Sequence, residues 1–222
     1  EKFETIADLI LALQEPDGLT WAKDSYHVKF LMDNSEVYWG LKSMAVLEAE
    51  VFGDPTAAKT YDVAADSVRS AISQLLYNPD SSRYRTAKLN DDSFQEANLD
   101  VWYPGRTDTT GFTLHLVWPH LFGVEPAGSA RTLSQMAELN ASWDGSPNPD
   151  WTSAFVKPPP DEFSFHSVGH ASLLAGDETR AVSHADFVKS EKFPNVGDDF
   201  AWPFTVYDAG WLLRTWSASR EL

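Results

Sequence analysis

The chain contains no cysteine, which excludes a disulfide framework and any thiolate-held metal site. It is also poor in positive charge. Seventeen Lys and Arg stand against 33 Asp and Glu, a formal net charge of −16 over 222 residues. A surface of that sign lacks the basic footprint needed to bind nucleic acid or an anionic membrane. No apolar run approaches 18 residues free of charge, so no membrane span is predicted. Glu1-Lys2-Phe3-Glu4 already opens a helical pattern. No signal peptide is therefore visible, and a secreted or periplasmic site after removal of one stays open. Asn140-Ala141-Ser142 matches a glycosylation triplet, a pattern common by chance.

What the chain does have is aromatic rings: nine Trp, seven Tyr and thirteen Phe. Many sit in stretches without helical periodicity, among them Trp21, Trp102, Tyr103, Trp151 and Trp202. Rings in loops either plug a core or offer faces to flat, partly apolar ligands such as sugars.

Apolar periodicity predicts helices throughout. A first spans 2–14, with Phe3, Ile6, Ala7, Ile10 and Leu13 on one face, and Pro16-Asp17-Gly18 turns the chain. Residues 19–31 read as a loop or brief hairpin. A second helix starts near Asp33-Asn34-Ser35-Glu36, where Asp33 or Asn34 can cap the free amides of the first turn, and runs to 52. Its apolar groups surround most of the circumference, which predicts burial on several sides. Gly40 costs about 1 kcal/mol of helix propensity, offset if another helix approaches closely there. Asp54 and Pro55 then form a cap and first turn, and the helix over 56–77 has one apolar stripe and one charged side.

The pairing recurs. Uncharged segments at 109–122 and 164–175 are each followed by an amphipathic partner, at 129–143 and 178–189, and a last apolar helix spans 204–217. Helices of a simple bundle each show one apolar stripe. Alternation of all-round with one-sided burial instead predicts an all-α fold, a single helical domain over 1–222, in which inner and outer helices pair as hairpins in two layers. The long returns at 15–32, 78–106, 144–163 and 191–202 carry the unusual polar and aromatic residues, and loops on a rigid scaffold are where binding and catalysis concentrate.

With the Asp17-Gly18-Leu19 turn, the segment Leu31 to Leu41 (LMDNSEVYWGL) and the Gly53-Asp54-Pro55 corner, this alternation resembles the six-hairpin, (α/α)6 toroid, glycosidase-like superfamily. The resemblance implies a carbohydrate-related activity carried by acidic residues in an aromatic-lined cleft. A full toroid has twelve helices and eight are predicted here, so the chain would be a reduced toroid or part of a larger one.

Glycoside hydrolysis needs two carboxyl groups flanking the bond, about 5 to 9.5 Å apart. Asp33 and Glu36, three apart, share one side of a helix start. Asp100 lies in Leu99-Asp100-Val101-Trp102-Tyr103, an apolar setting that raises a carboxyl pKa, and Asp108 precedes the second inner segment. The expected division is Asp33, kept charged by the helix N-terminus, as base or nucleophile, and Asp100 as acid, with Glu36 and Asp108 in reserve. Capping by Asp33 and Asp108 is the competing account. Trp21, Trp102, Tyr103, Trp151, Trp202 and His166 are the expected saccharide contacts. His166 and His170 have ligand-like i, i+4 spacing but lack a neighbouring acid in the right place, so no metal and no cofactor is expected. The partner expected is a saccharide or polysaccharide, acted on by a hydrolase or a polysaccharide lyase. A noncatalytic sugar-binding or structural domain and a sugar isomerase or epimerase are the alternatives.

Overall fold

A computed structural model describes residues 2–97, 113–144, 167–192 and 206–219. Their fold is all-α in character, with paired helices and a few two-residue strands. The described residues fall into two compact units, the first ending at Pro126 and the second starting at Ala127.

In the first unit, helices α1 (Lys2–Ala12), α2 (Leu31–Leu47) and α3 (Pro55–Ala71) form the framework. Single π turns, Glu48–Phe52 and Ile72–Leu76, extend α2 and α3. The predicted corner is present: Asp54 Oδ1 accepts from the amides of Thr56 and Ala57, both at 2.9 Å, with Pro55 at the first helical position. Gly53 closes the preceding turn at φ +72°, a conformation that favours glycine.

The predicted start of the second helix is corrected. It begins at Leu31, and Phe30, its N-cap, makes no side-chain cap. Asp33 and Asn34 lie inside the first turn. The buried Asn34 instead accepts from the Thr20 amide at 2.8 Å and donates to the carbonyls of Thr20 and Phe30. It sews the 19–21 loop to the helix start, a tertiary task that outranks local capping.

That loop is anchored a second way. Asp17 receives both Lys29 Nζ and Lys88 Nζ at 2.8 Å, and its Oδ1 accepts from the Leu19 amide. The Lys29 ammonium, almost wholly buried, also lies 4.2 Å from the Trp21 ring centre, a cation–π contact. Gly18 has φ +90°, and a Cβ there would stand 2.9 Å from Ser67 O and 3.0 Å from Ala71 Cβ of α3. The Asp17-Gly18-Leu19 turn is thus held by an ion triad and a close backbone approach.

The return from α3 contains four short strands: β2 (Tyr77–Asn78), β3 (Arg83–Tyr84), β4 (Ala87–Lys88) and β5 (Phe94–Gln95). β2 and β3 form one antiparallel pair; β4 sits between β5 and β1 (Lys29–Phe30), again antiparallel. Two-residue ladders leave too little alternation to stand out as strands in a sequence. A 3-10 turn (Thr113–Val117) and α4 (Trp118–Leu121) complete the unit.

Its core joins Leu19, Leu31, Leu41, Ala65, Val68, Ile72, Leu76, Tyr84, Leu116 and Trp118, all within 1% of full burial. Each such leucine contributes about 1.5–3 kcal/mol by leaving water. The all-round burial predicted for α2 fails. Leu31, Tyr38, Leu41, Met44 and Ala45 are buried, chiefly against α3, while Trp39 and Val46 are exposed, as are Val51 and Phe52 of the π turn. An apolar composition calls for partners on every side, and the described elements of this unit pack α2 on only part of its surface.

The second unit contains α5 (Ala130–Asp144), α6 (Ser167–Leu174), α7 (Glu178–Lys192) and α8 (Val206–Ser219). α6 packs against both α7 and α8, and seven of its eight residues are buried, from Ser167 to Leu173. It crosses α7 closely at Gly169, where a Cβ would meet the His184 ring at 2.7 Å. α5 and α7 are one-sided, burying Met136 and Leu139, and Ala181, Ala185 and Val188. α8, predicted as inner, is one-sided too: Trp211 and Leu212 are buried and Leu213 is exposed. Ala185, Val188 and Leu212, with Phe187 and Trp216, make the α7–α8 contact. The inner–outer contrast therefore holds between α6 and α7 and fails at α2 and α8.

Candidate carboxylate site at the start of α2

Asp33 and Glu36 occupy the first two turns of α2, three residues apart and so on neighbouring positions of one side. Asp33 is half-buried, and its pKa is pushed from 3.8 to about 6, first by desolvation and then by the Glu36 charge. Glu36 also titrates above its ordinary value: desolvation raises it, and a hydrogen bond from the Trp118 indole partly opposes the rise. Trp118 Nε1 donates to Glu36 Oε1 at 3.0 Å. The donor ring is 1% exposed, tilted against Phe122 and edge-on to His115, whose centroid is 4.7 Å away. Glu36 itself reaches solvent. One carboxyl is thus oriented by a buried indole while its neighbour holds a proton to about pH 6.

This corrects the expected protonation of Asp33. The helix N-terminus favours a charged acid by only about 0.3–1 kcal/mol at exposed sites. Desolvation and a second carboxylate one turn away outweigh that here.

His115 faces Trp118 from the 3-10 turn, and burial lowers its pKa to about 3. It is therefore neutral at physiological pH. His120, also buried, follows in α4. Neither was given a role by sequence spacing. The useful signal was composition: an uncharged stretch with two histidines and a tryptophan, packed behind an acid pair.

Trp21 is half-buried, with His27 against it at 4.9 Å between ring centres and Lys29 over its ring. These contacts with His27 and Lys29 brace the loop around Asp17. Asp100, Asp108, Trp102, Tyr103, Trp151, Trp202 and His166 all lie outside the described residues. In the second unit His170 is buried beside Trp211, with ring centres 5.6 Å apart. Desolvation, and then the Arg214 charge, hold its pKa down at about 4.

An open depression of about 550 Å³ lies between the 25–28 loop and the 89–91 turn, where Tyr26, His27, Asn90 and Asp91 supply polar groups. Among the described residues, no three or more His, Cys, Asp or Glu side chains are arranged to hold a metal ion. Nor is any described helix long and apolar enough to cross a membrane. Compared with known proteins, the chain matches no family, no curated sequence and no solved structure.

Proposed function

We propose that this chain is a carbohydrate-active protein that hydrolyses a glycosidic bond, with a reduced or incomplete α/α toroid as its scaffold and Asp33 as its proton donor. The observation that carries the reading is the Asp33–Glu36 pair, two partly desolvated carboxyl groups one turn apart with unequal partners. Both titrate above their ordinary values, which suits a proton donor, and the Trp118 hydrogen bond that opposes the rise at Glu36 favours the charged form there. Cβ atoms three residues apart on a helix lie about 5–6 Å from each other. Glycoside hydrolases work with two carboxyl groups about 5 to 9.5 Å apart.

In this scheme the Asp33 carboxyl gives its proton to the glycosidic oxygen as the bond to the anomeric carbon breaks. Water adds to that carbon, and the proton it loses passes to the Glu36 carboxylate, which Trp118 keeps oriented. The charge of −16 disfavours a uronate polymer and points to a neutral glycan.

The test is release of reducing ends from a panel of neutral polysaccharides. Asp33→Asn should lower turnover at least ~100-fold and Glu36→Gln by a similar factor, the span attributed to a positioned acid or base. No release from any glycan, or full turnover in Asp33→Asn, rejects the scheme.

A noncatalytic sugar-binding role has its own support in the open depression lined by Tyr26, a residue that is 48% exposed. Under that reading Tyr26→Ala abolishes glycan binding and Asp33→Asn leaves it intact.

A further inference from the structure

α2 carries a large aromatic side chain next to the acid pair. Asp33, Glu36 and Trp39 follow one another at three-residue steps, the spacing of an i±3 ridge on a helix surface. Neighbours at that step have Cβ atoms about 5–6 Å apart. Trp39 therefore adjoins Glu36 on the side away from Asp33. It is 46% exposed, although all-round burial was predicted for this helix.

A single exposed apolar residue needs no explanation by itself. The support beneath this one sets it apart. The buried Phe122 meets the Trp39 ring at 60°, with centroids 5.8 Å apart. Phe122 also lies against Trp118, with centroids 6.4 Å apart, and Trp118 Nε1 donates to Glu36 Oε1 at 3.0 Å. Two ring contacts and one hydrogen bond thus connect the Trp39 indole to the Glu36 carboxyl. Both supporting rings belong to one short element, α4 and its C-cap Phe122. The same element braces the acid and the aromatic surface beside it. A side chain held before its ligand arrives loses less freedom on binding.

The arrangement is an apolar ring surface, partly open to solvent, with carboxyl groups at one end. It matches a ligand that is flat and apolar on its face and polar around its edge. A pyranose residue is built that way, with C–H groups on its face and hydroxyls at its rim. Two carboxyl groups alongside, on a chain of net charge −16, disfavour an anionic sugar.

We propose that the Trp39 indole is the platform of a sugar subsite next to the Asp33–Glu36 pair, stacking on the apolar face of one pyranose residue of a neutral glycan. The inference rests on the reading of that pair as a carbohydrate site. It adds the residue that positions the sugar, and that residue lies in a helix rather than in the return loops.

The experiment separates binding from turnover. In Asp33→Asn, which lacks the proposed proton donor, binding of cello-, xylo-, manno-, malto- and laminarihexaose is followed by NMR of the indole N–H signals. The signal missing from Trp39→Phe identifies Trp39 among the nine tryptophans. At least one hexaose should shift that signal saturably. In the same background Trp39→Ala should lose at least ~10-fold in affinity, and Trp39→Phe, which keeps a smaller ring, about 2- to 4-fold. The proposal is overturned if no hexaose binds, if one binds without moving the Trp39 signal, or if Trp39→Ala binds as tightly. It is equally overturned if ultracentrifugation shows a dimer that Trp39→Ala dissolves, since the ring would then meet a second copy of this chain. The hydrolytic reading fails separately. A hexaose bound through Trp39 that the wild type never cleaves keeps the platform and removes the proton transfer. Cleavage with an unchanged KM in Trp39→Ala does the reverse.

Discussion

The indole of Trp118 reaches Glu36 across 82 residues of sequence, donating a 3.0 Å hydrogen bond from a ring that is itself buried. It ties α4 to the start of α2 and lowers the proton affinity of Glu36 against the rise that desolvation causes. Trp118→Phe removes the donor and keeps most of the apolar volume. The Glu36 titration should then move upward, because desolvation would act unopposed. As Glu36 loses charge, the upward push on Asp33 should shrink. Carbon-detected NMR titration of the two carboxyl groups checks both directions; an unmoved Glu36 would show that the bond contributes nothing. The stability cost should be about 1–3 kcal/mol by urea unfolding.

Asp33 makes stability fall as pH rises. Its folded pKa of about 6 lies above its ordinary value of 3.8, so the folded state binds the proton more tightly than the unfolded one. No penalty exists below pH 3.8; it grows between there and pH 6 and is complete above. With one side of the group open to solvent, screening reduces it to about 1–2 kcal/mol. Glu48 acts in the same direction. It is buried, with Oε1 lacking a hydrogen-bond partner, and desolvation together with the charges of Glu4, Asp54 and Asp8 raises its pKa. Urea unfolding of Asp33→Asn at pH 3.5 and pH 8 should show a gain over the wild type at pH 8 alone.

Asp17 acts at the acid end. Burial resists its ionisation, but the bonds from Lys29 and Lys88 prevail and hold its pKa below 3.8. The stability it contributes is therefore present above pH 3.8 and lost as pH falls through the lower folded value. Asp17→Asn leaves the Lys29 ammonium buried without its anion. A cost of about 2–4 kcal/mol is expected at pH 7, near that of breaking a buried ion pair. The difference from wild type should vanish under acid conditions where Asp17 is protonated in both states; a constant difference would assign the cost to packing.

Gly18 and Gly40 should respond in opposite directions to the same change. Gly18→Ala forces a Cβ to within 2.9 Å of Ser67 O at φ +90°, and should destabilise by about 2–4 kcal/mol. Gly40→Ala meets open space inside a helix and should stabilise by about 0.5–1 kcal/mol. Thermal unfolding of the two variants side by side decides it, and destabilisation by Gly40→Ala would reveal a close neighbour at that position.

Elements whose signals are local were legible from the residues alone. The Gly53-Asp54-Pro55 corner, the amphipathic face of α3 and the helices of the second unit follow from capping geometry and apolar period, and both depend on neighbours within a few positions. The acid pair was legible as an i, i+3 spacing, but not its protonation. A charged Asp33 is the answer of the isolated helix terminus; a proton held to about pH 6 is the answer of the assembled one, where Glu36 and desolvation act together. The same division explains Asn34, whose sequence context suggests a cap and whose side chain is instead bonded to Thr20. It also explains Gly40, whose propensity cost a closely approaching helix would offset and where the described fold leaves an opening. Chain-local chemistry determined where helices begin, turn and show an apolar face. Which faces become covered, which carboxyl groups lose water and which buried ring meets them depend on contacts between distant segments such as Glu36 and Trp118, and only the tertiary structure decided those.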